Sequence, residues 1–156
     1  VLQMSANKLE LYKFLPMKIE DLGMIYELEI ESYEFPWTKE ILRDCILYNY
    51  DSYSVFFGDI IVGYVISKIS YPETHILNLT VKSDYRNSGI GMSLVQLIIN
   101  DARIRNSQDI ILEVRSSNDA AQYLYEKLCF KKIGIRKGYY DAKNGREDAF
   151  VLRLSL

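Results

Sequence analysis

The sequence predicts an α/β domain, a mixed and mostly antiparallel sheet with helices on both faces. Three observations lead there. The chain has 156 residues, 49% of them hydrophobic, which is close to the commonest single-domain size and enough to bury a core. Runs with β character alternate with helical patterns in the order β-α-α-β-β-β-α-β-α-β-β. No internal repeat, low-complexity tract or linker divides the chain.

Taken in order, Leu9 to Lys13 reads as a first strand, after which Pro16 opens a helical pattern over Ile19, Leu22, Ile25, Tyr26, Leu28, Glu29 and Ile30. Tyr33-Glu34-Phe35-Pro36-Trp37 interrupts it, because a residue before proline resists helical dihedrals. Thr38 then caps a second helix that runs to about Leu47, which leaves Phe35 and Trp37 at a helix corner. Tyr53 to Phe57 and Ile60 to Ser67, joined by Gly58-Asp59, form an antiparallel hairpin. Thr74 to Val81 is a further strand. Lys82 to Gly89 is a polar loop leading into a helix with Ile90, Leu94, Leu97 and Ile98 on its apolar side. Ile110 to Val114 is a strand, Ser116 to Asp119 supply capping side chains, and Ala120 to Lys127 is a helix. Phe130 to Arg136 and Ala149 to Leu154 close the chain as two strands separated by a loop over 137–148.

Composition excludes several classes. With 19 Lys+Arg against 21 Asp+Glu the net charge is −2, so no global field draws in nucleic acid, and the basic group Lys131, Lys132, Arg136 and Lys137 reads as a solvated strand edge. The apolar stretch from Ile60 to Ile66 falls far short of the roughly 20 residues of a membrane-spanning helix. Cys45 and Cys129 stand apart with no ligand spacing around them, so no metal site or disulfide framework is expected and both read as packing residues. The N-terminus lacks the pattern of a secretory signal, and a reducing, cytoplasmic setting is expected. Val1 to Gln3 precede Met4, which reads as the natural start, and residues 1–8 form an N-terminal extension without function.

Arg86-Asn87-Ser88-Gly89-Ile90-Gly91-Met92 places two glycines at the mouth of a helix, where unpaired N–H groups and the positive dipole end suit a phosphate. It is neither a Walker A loop, since no Gly-Lys-Ser/Thr follows, nor the dinucleotide fingerprint, since Leu94 stands at the third glycine position. Glu113 sits among apolar neighbours in a strand, where a charge is costly unless it faces a cleft or a partner. Burial there is expected to raise its pKa towards neutrality, which suits a general base. His75, the only histidine, has the right range for a base but stands at a strand end, where a polar cap is the commoner role.

The segment Val81 to Gly91 resembles the pyrophosphate-binding segment of the GNAT superfamily of acetyl-CoA-dependent N-acetyltransferases. Leu112-Glu113-Val114-Arg115-Ser116-Ser117-Asn118, Leu124-Tyr125-Glu126-Lys127-Leu128-Cys129-Phe130, Phe35-Pro36-Trp37, and Gly138-Tyr139-Tyr140 with Gly145-Arg146-Glu147-Asp148-Ala149 resemble its branch that acetylates protein N-termini, in bacteria on ribosomal proteins. Cys129 departs from that pattern, which has glycine in this turn. The resemblance covers Leu9 to Leu154 and implies a single GNAT domain over 9–156.

What the resemblance implies for function is direct transfer from acetyl-CoA, as cosubstrate, to an N-terminal α-amine. The backbone of Arg86, Asn87, Ser88, Gly89, Ile90, Gly91 and Met92 would hold the pyrophosphate, and main-chain groups at Leu79 and Val81 the pantetheine. Asn118 would hold the cofactor arm or serve as a plain N-cap. Glu113 would be the base, Tyr125 the acid that protonates the departing thiolate, and His75 an accessory that helps hold a catalytic water. Phe35 and Trp37 would line the peptide pocket. Tyr139 and Tyr140 would sit in a loop that closes over the substrate. The implied partners are protein or peptide N-termini, ribosomal or nascent chains among them, with no membrane or nucleic acid and a monomer or weak oligomer. The same scaffold would also carry a lysine or small-amine acetyltransferase, or a non-catalytic acyl-CoA-binding or ribosome-associated module.

Overall fold

Local chemistry accounts for most element boundaries in the structure, a computed structural model that describes residues 11–156. The extension at 1–8, with Met4, lies outside the described residues. The first strand, β1, spans Tyr12–Pro16; Leu9 and Glu10 of the expected strand lie outside the described residues, Leu11 is in a turn, and Pro16 ends the strand instead of opening a helix. β1 is an edge strand, where a residue with no N–H to donate is tolerated. A single 3-10 turn, Ile19–Asp21, precedes α1 (Leu22–Ser32). After the break at Pro36, Thr38 caps α2 (Lys39–Leu47) by accepting a hydrogen bond from the Ile41 amide at 3.2 Å.

β2 (Asp51–Phe57) and β3 (Ile60–Lys68) are the expected hairpin, turned by Gly58 at φ +60°, a left-handed angle that suits glycine. Then come β4 (Glu73–Val81), α3 (Ile90–Ile104), β5 (Asp109–Arg115) and α4 (Asp119–Lys127), the last capped by Asn118. β6 (Lys131–Ala142) and β7 (Gly145–Ser155) finish the chain. The helices and strands follow the expected order throughout.

The segment 137–148 corrects the sequence reading. It is strand on both sides of a short turn at Lys143 and Asn144, not a loop. Gly138 has φ +56° and lies where the register between β6 and β7 shifts, between Arg136 and Tyr140. The glycine therefore marks a bulge inside a strand. Cys129 corrects a second expectation: it is exposed and held at φ +71°, so it is not a packing residue, whereas Cys45 is buried.

The seven strands are hydrogen-bonded in the order β1-β2-β3-β4-β5-β7-β6. β4 and β5 pair in parallel over Glu73–Ile76 and Asp109–Leu112, while β1–β2, β2–β3, β5–β7 and β6–β7 pair antiparallel. The described chain divides into two compact units, 11–67 with Asn78–Ile98, and Lys68–Leu77 with Ile99–Leu156. In the first, Ile25, Leu28, Leu42, Cys45, Ile61, Tyr64 and Ile66 form one buried cluster, so α1 and α2 cover one face of β3. Its opposite face meets α3. A Cβ built on Gly63 would lie 3.1 Å from the Thr80 carbonyl oxygen and 3.3 Å from Ile90, so glycine permits that close approach. In the second unit, Ile110, Leu112, Ala149 and Leu152 are buried along the central strands β5 and β7. No helix among the described residues is long and apolar enough to cross a membrane.

Candidate active site

In the first unit the expected phosphate-binding residues form a bent loop into α3. Asn87 has φ +59° and Gly89 φ +88°, and the Ser88 hydroxyl donates to the Tyr85 carbonyl at 2.5 Å, fixing the bend. The Ser93 amide bonds to the Gly89 carbonyl at 3.0 Å, so the helical ladder starts there and the amides just before it are the orphan donors of a helix start. Ile90 is fully buried and anchors the loop, while Met92 is exposed. Leu79 and Val81 are both engaged from the side: Tyr33 Oη donates to the Leu79 carbonyl at 2.9 Å, and Arg86 Nε to the Val81 carbonyl at 3.0 Å.

Tyr33 leads into a network the sequence did not reveal. Its hydroxyl meets Thr80 Oγ1 at 2.7 Å, Thr80 donates to Asn78 Oδ1 at 2.8 Å, and Asn78 Nδ2 donates to both Glu29 carboxylate oxygens at 3.2 Å. Tyr64 Oη donates to Glu29 Oε2, and the Trp37 amide donates to Oε1 at 3.2 Å. Glu29 is 1% exposed, and every one of these groups that faces it is a donor. Burial, and then the Glu29 charge, push the Tyr64 phenol far up, so it stays protonated as a donor. The carboxylate thus holds the Phe35-Pro36-Trp37 corner by its backbone. Trp37 packs partly buried on the α1–α2 cluster, whereas Phe35 is exposed. The one available sequence signal was a glutamate falling in register with Leu22 and Ile25 on the apolar side of a helix.

In the second unit His75 and Glu113 come together. His75 pairs with Ile111 across the parallel strands, and Glu113 lies two residues further on, so both side chains leave the same face. His75 Nε2 is 3.2 Å from Glu113 Oε2, and Arg136 Nε is 3.6 Å from Oε1. The Glu113 side chain is only 10% exposed. Its pKa is nonetheless lowered, against the expectation from burial, because the hydrogen bond from His75 outweighs desolvation and the His75 and Arg136 charges add to it. The same hydrogen bond raises His75 above its ordinary value, opposed by burial. Glu113 is therefore a paired carboxylate, and His75 is the member of the pair that holds its proton more tightly than usual.

Tyr125, on α4, is buried at 5% exposure with its ring edge-on to Phe130 at 5.4 Å. Asn118 Oδ1 accepts from the Ala121 amide at 3.1 Å, so the N-cap role is realised. The turn before it is stitched to β7 by Glu147, which accepts from the Ser117 amide at 2.8 Å, Arg115 at 3.1 Å and Ser116 at 3.3 Å. These contacts hold Glu147 below its ordinary value, with the Ser117 contact contributing most. Arg115 also stacks on Tyr140 at 4.5 Å, and the Tyr139 and Tyr140 rings meet edge to face at 4.9 Å. Both tyrosines lie in β6, not in a loop. The basic group is mostly engaged: Lys132 lies over Phe150, Lys137 pairs with Asp148 and Arg136 with Glu113. Among the described residues no group of three or more His, Cys, Asp or Glu side chains is placed to hold a metal ion.

The acetyltransferase (GNAT) family profile matches residues 22–130 of this chain, spanning the Phe35-Pro36-Trp37 corner, the glycine loop, Glu113 and Tyr125. The chain belongs to the GNAT family. This GNAT protein is 30% identical over 140 residues to the [ribosomal protein bS18]-alanine N-acetyltransferase of Escherichia coli K12, covering 90% of this chain and 95% of that one. The crystal structure of the ribosomal-protein-S18-alanine N-acetyltransferase from Escherichia coli superposes with a TM-score of 0.86 at 29% identity, over 92% of this chain and 93% of that one. The NatC complex bound to Gag peptide and CoA contains a chain similar at 25% identity and a TM-score of 0.82, over 93% of this chain and 98% of that one. The GNAT protein is an acetyltransferase, and acetyl-CoA is its cosubstrate.

Proposed function

We propose that this acetyltransferase modifies the N-terminal α-amine of proteins or peptides by direct transfer, with ribosomal-protein N-termini as the first substrate class to test. The observation that carries the chemistry is the His75–Glu113 pair, a base oriented by a partly buried carboxylate. The near full-length likeness to an enzyme that acts on the alanine terminus of a ribosomal protein supports the acceptor.

The residues present fit the cosubstrate: the amides at the start of α3, with Asn87 and Gly89 in left-handed conformations, form an anion-binding bend, and Arg86 brings a cation to its edge. In the first unit Phe35 and Trp37 offer apolar surface to an acceptor peptide, and in the second Tyr139 and Tyr140 offer phenolic surface. In the reaction the amine nitrogen attacks the thioester carbonyl, the new C–N bond forms and the C–S bond breaks. The amine's proton passes to His75, Glu113 steadies the resulting imidazolium, and the Tyr125 phenol protonates the departing thiolate.

The test is mass spectrometry of peptides with Ala, Ser, Thr, Met-Leu and Met-Glu termini, plus an internal lysine control, after incubation with acetyl-CoA. Acetylation of α-amines supports the proposal. Acetylation of the lysine alone overturns the acceptor assignment, and acetyl-CoA binding without product on any peptide overturns the assignment of turnover to this chain alone.

A further inference from the structure

From the sequence Arg136 reads as one of several exposed basic residues on an edge strand, yet it lies against the His75–Glu113 pair. The register places it opposite Ala149 on β7, the strand that separates β6 from β5. The guanidinium Nε comes within 3.6 Å of Glu113 Oε1, while Oε2 is held by His75 at 3.2 Å. The same guanidinium lies 5.3 Å from the centre of the Tyr139 ring, which helps fix its direction.

We propose that Arg136 is a positioning residue for acetyl transfer: its guanidinium, set against one oxygen of Glu113, steadies the carboxylate whose other oxygen holds His75, and its charge offsets part of the pull of Glu113 on the imidazolium. The inference rests on the reading of His75 and Glu113 as the proton-accepting pair. The charged groups acting on His75 are Glu113 on β5, Glu73 on its own strand β4 and Arg136 on β6, while β7 presents Val151 beside Glu113. Glu113 and Glu73 favour the imidazolium and Arg136 opposes it. Arg136 thus shapes both the geometry of the pair and the pH at which it empties of protons.

Because His75 is the only histidine, its imidazole can be titrated by NMR in the intact protein as a single resolved signal. Arg136→Gln is expected to move that titration to higher pH and to carry the acidic limb of kcat/KM with it. Arg136→Lys, which keeps the charge, is expected to return both towards their original positions. An imidazole titration unmoved by Arg136→Gln overturns the inference, as does a loss of rate that is uniform across pH, the mark of a merely structural role. A rate profile that fails to follow the His75 titration in the unmodified protein overturns instead the reading of the pair as proton acceptor, and the NMR titration still decides what Arg136 does to His75.

Discussion

Glu29 offers the sharpest test of how the Phe35-Pro36-Trp37 corner is held. Replacing it with alanine leaves the Trp37 amide, the Asn78 amide and the Tyr64 hydroxyl without their acceptor, all facing a site that is 1% exposed. A buried donor stripped of its partner costs about 1–3 kcal/mol, and removing one member of a buried charged network typically costs about 3–5 kcal/mol in all. We therefore expect Glu29→Ala to lose about 4 kcal/mol. Glu29→Gln keeps the volume and one acceptor oxygen but turns an NH2 towards donors, for a loss of about 2 kcal/mol. At about 2–4 °C per kcal/mol for a chain of this size, the glutamine variant melts about 4–8 °C lower. The assay is thermal unfolding followed by calorimetry and near-UV circular dichroism, with the Glu29→Gln/Tyr64→Phe double variant completing a cycle. A coupling of about 0.5–3 kcal/mol between the two sites is expected for a direct bond in a shared network. A Glu29→Ala protein that melts within 2 °C of the original, against the roughly 8–16 °C that 4 kcal/mol implies, would refute the reasoning.

Further outcomes are equally specific. Tyr125→Phe keeps the edge-on packing against Phe130, and kcat should fall by about 10²–10⁴-fold with little change in acetyl-CoA affinity, read by stopped-flow and calorimetry. Cys129→Gly relieves a side chain from φ +71° and should stabilise by up to about 1 kcal/mol, the left-handed penalty of about 1–2 kcal/mol being partly offset by the greater freedom of glycine in the unfolded chain. The pH dependence of stability follows from the His75–Glu113 pair. Glu113 is lowered in the folded state, so its contribution is present above its ordinary value of 4.5 and is lost as pH falls through the folded value. His75 is raised, so its contribution is complete below 6.5 and is lost as pH rises through the folded value. Denaturant midpoints should therefore be highest between pH 4.5 and 6.5 as far as this pair decides them, and His75→Asn should flatten both flanks.

Element order was legible because each boundary carried its own chemistry: Thr38 and Asn118 as caps, Gly58 as a turn, Pro36 as a break. The stretch from Lys137 to Asp148 was not, because a glycine beside two tyrosines suggests a loop whenever the neighbouring strand is unknown; only the register shows it to be a bulge. Glu113 and the glycine loop could be singled out from local sequence, whereas Tyr125, one of thirteen tyrosines, stands out only through the family resemblance. The His75–Glu113 bond could not be assigned that way, since it depends on a parallel pairing between strands 38 residues apart in the chain at these positions. The pKa of Glu113 was misjudged for the same reason: burial can be read from apolar neighbours, whereas the histidine and arginine that oppose it arrive from other strands. Glu29 was hidden by its surroundings, a charge that looks like an ordinary helix residue until its donors are seen to come from β3, β4 and the corner after α1.

The far end of the β6–β7 hairpin is cross-braced. Arg146 donates to the Gly138 carbonyl at 2.7 Å, to the Tyr139 carbonyl at 3.1 Å and to the Asp141 carboxylate at 2.6 Å, and the Gly138 amide is held by Asp148 at 2.9 Å. A hairpin braced in this way has little conformational freedom left to surrender when a ligand arrives, so under the proposed function its two tyrosines would offer the acceptor a fixed template and not a closing flap. Discrimination among acceptors would then show itself in dissociation rates and in side-chain fit, and amide exchange along 138–148 would change little between the free and peptide-bound protein.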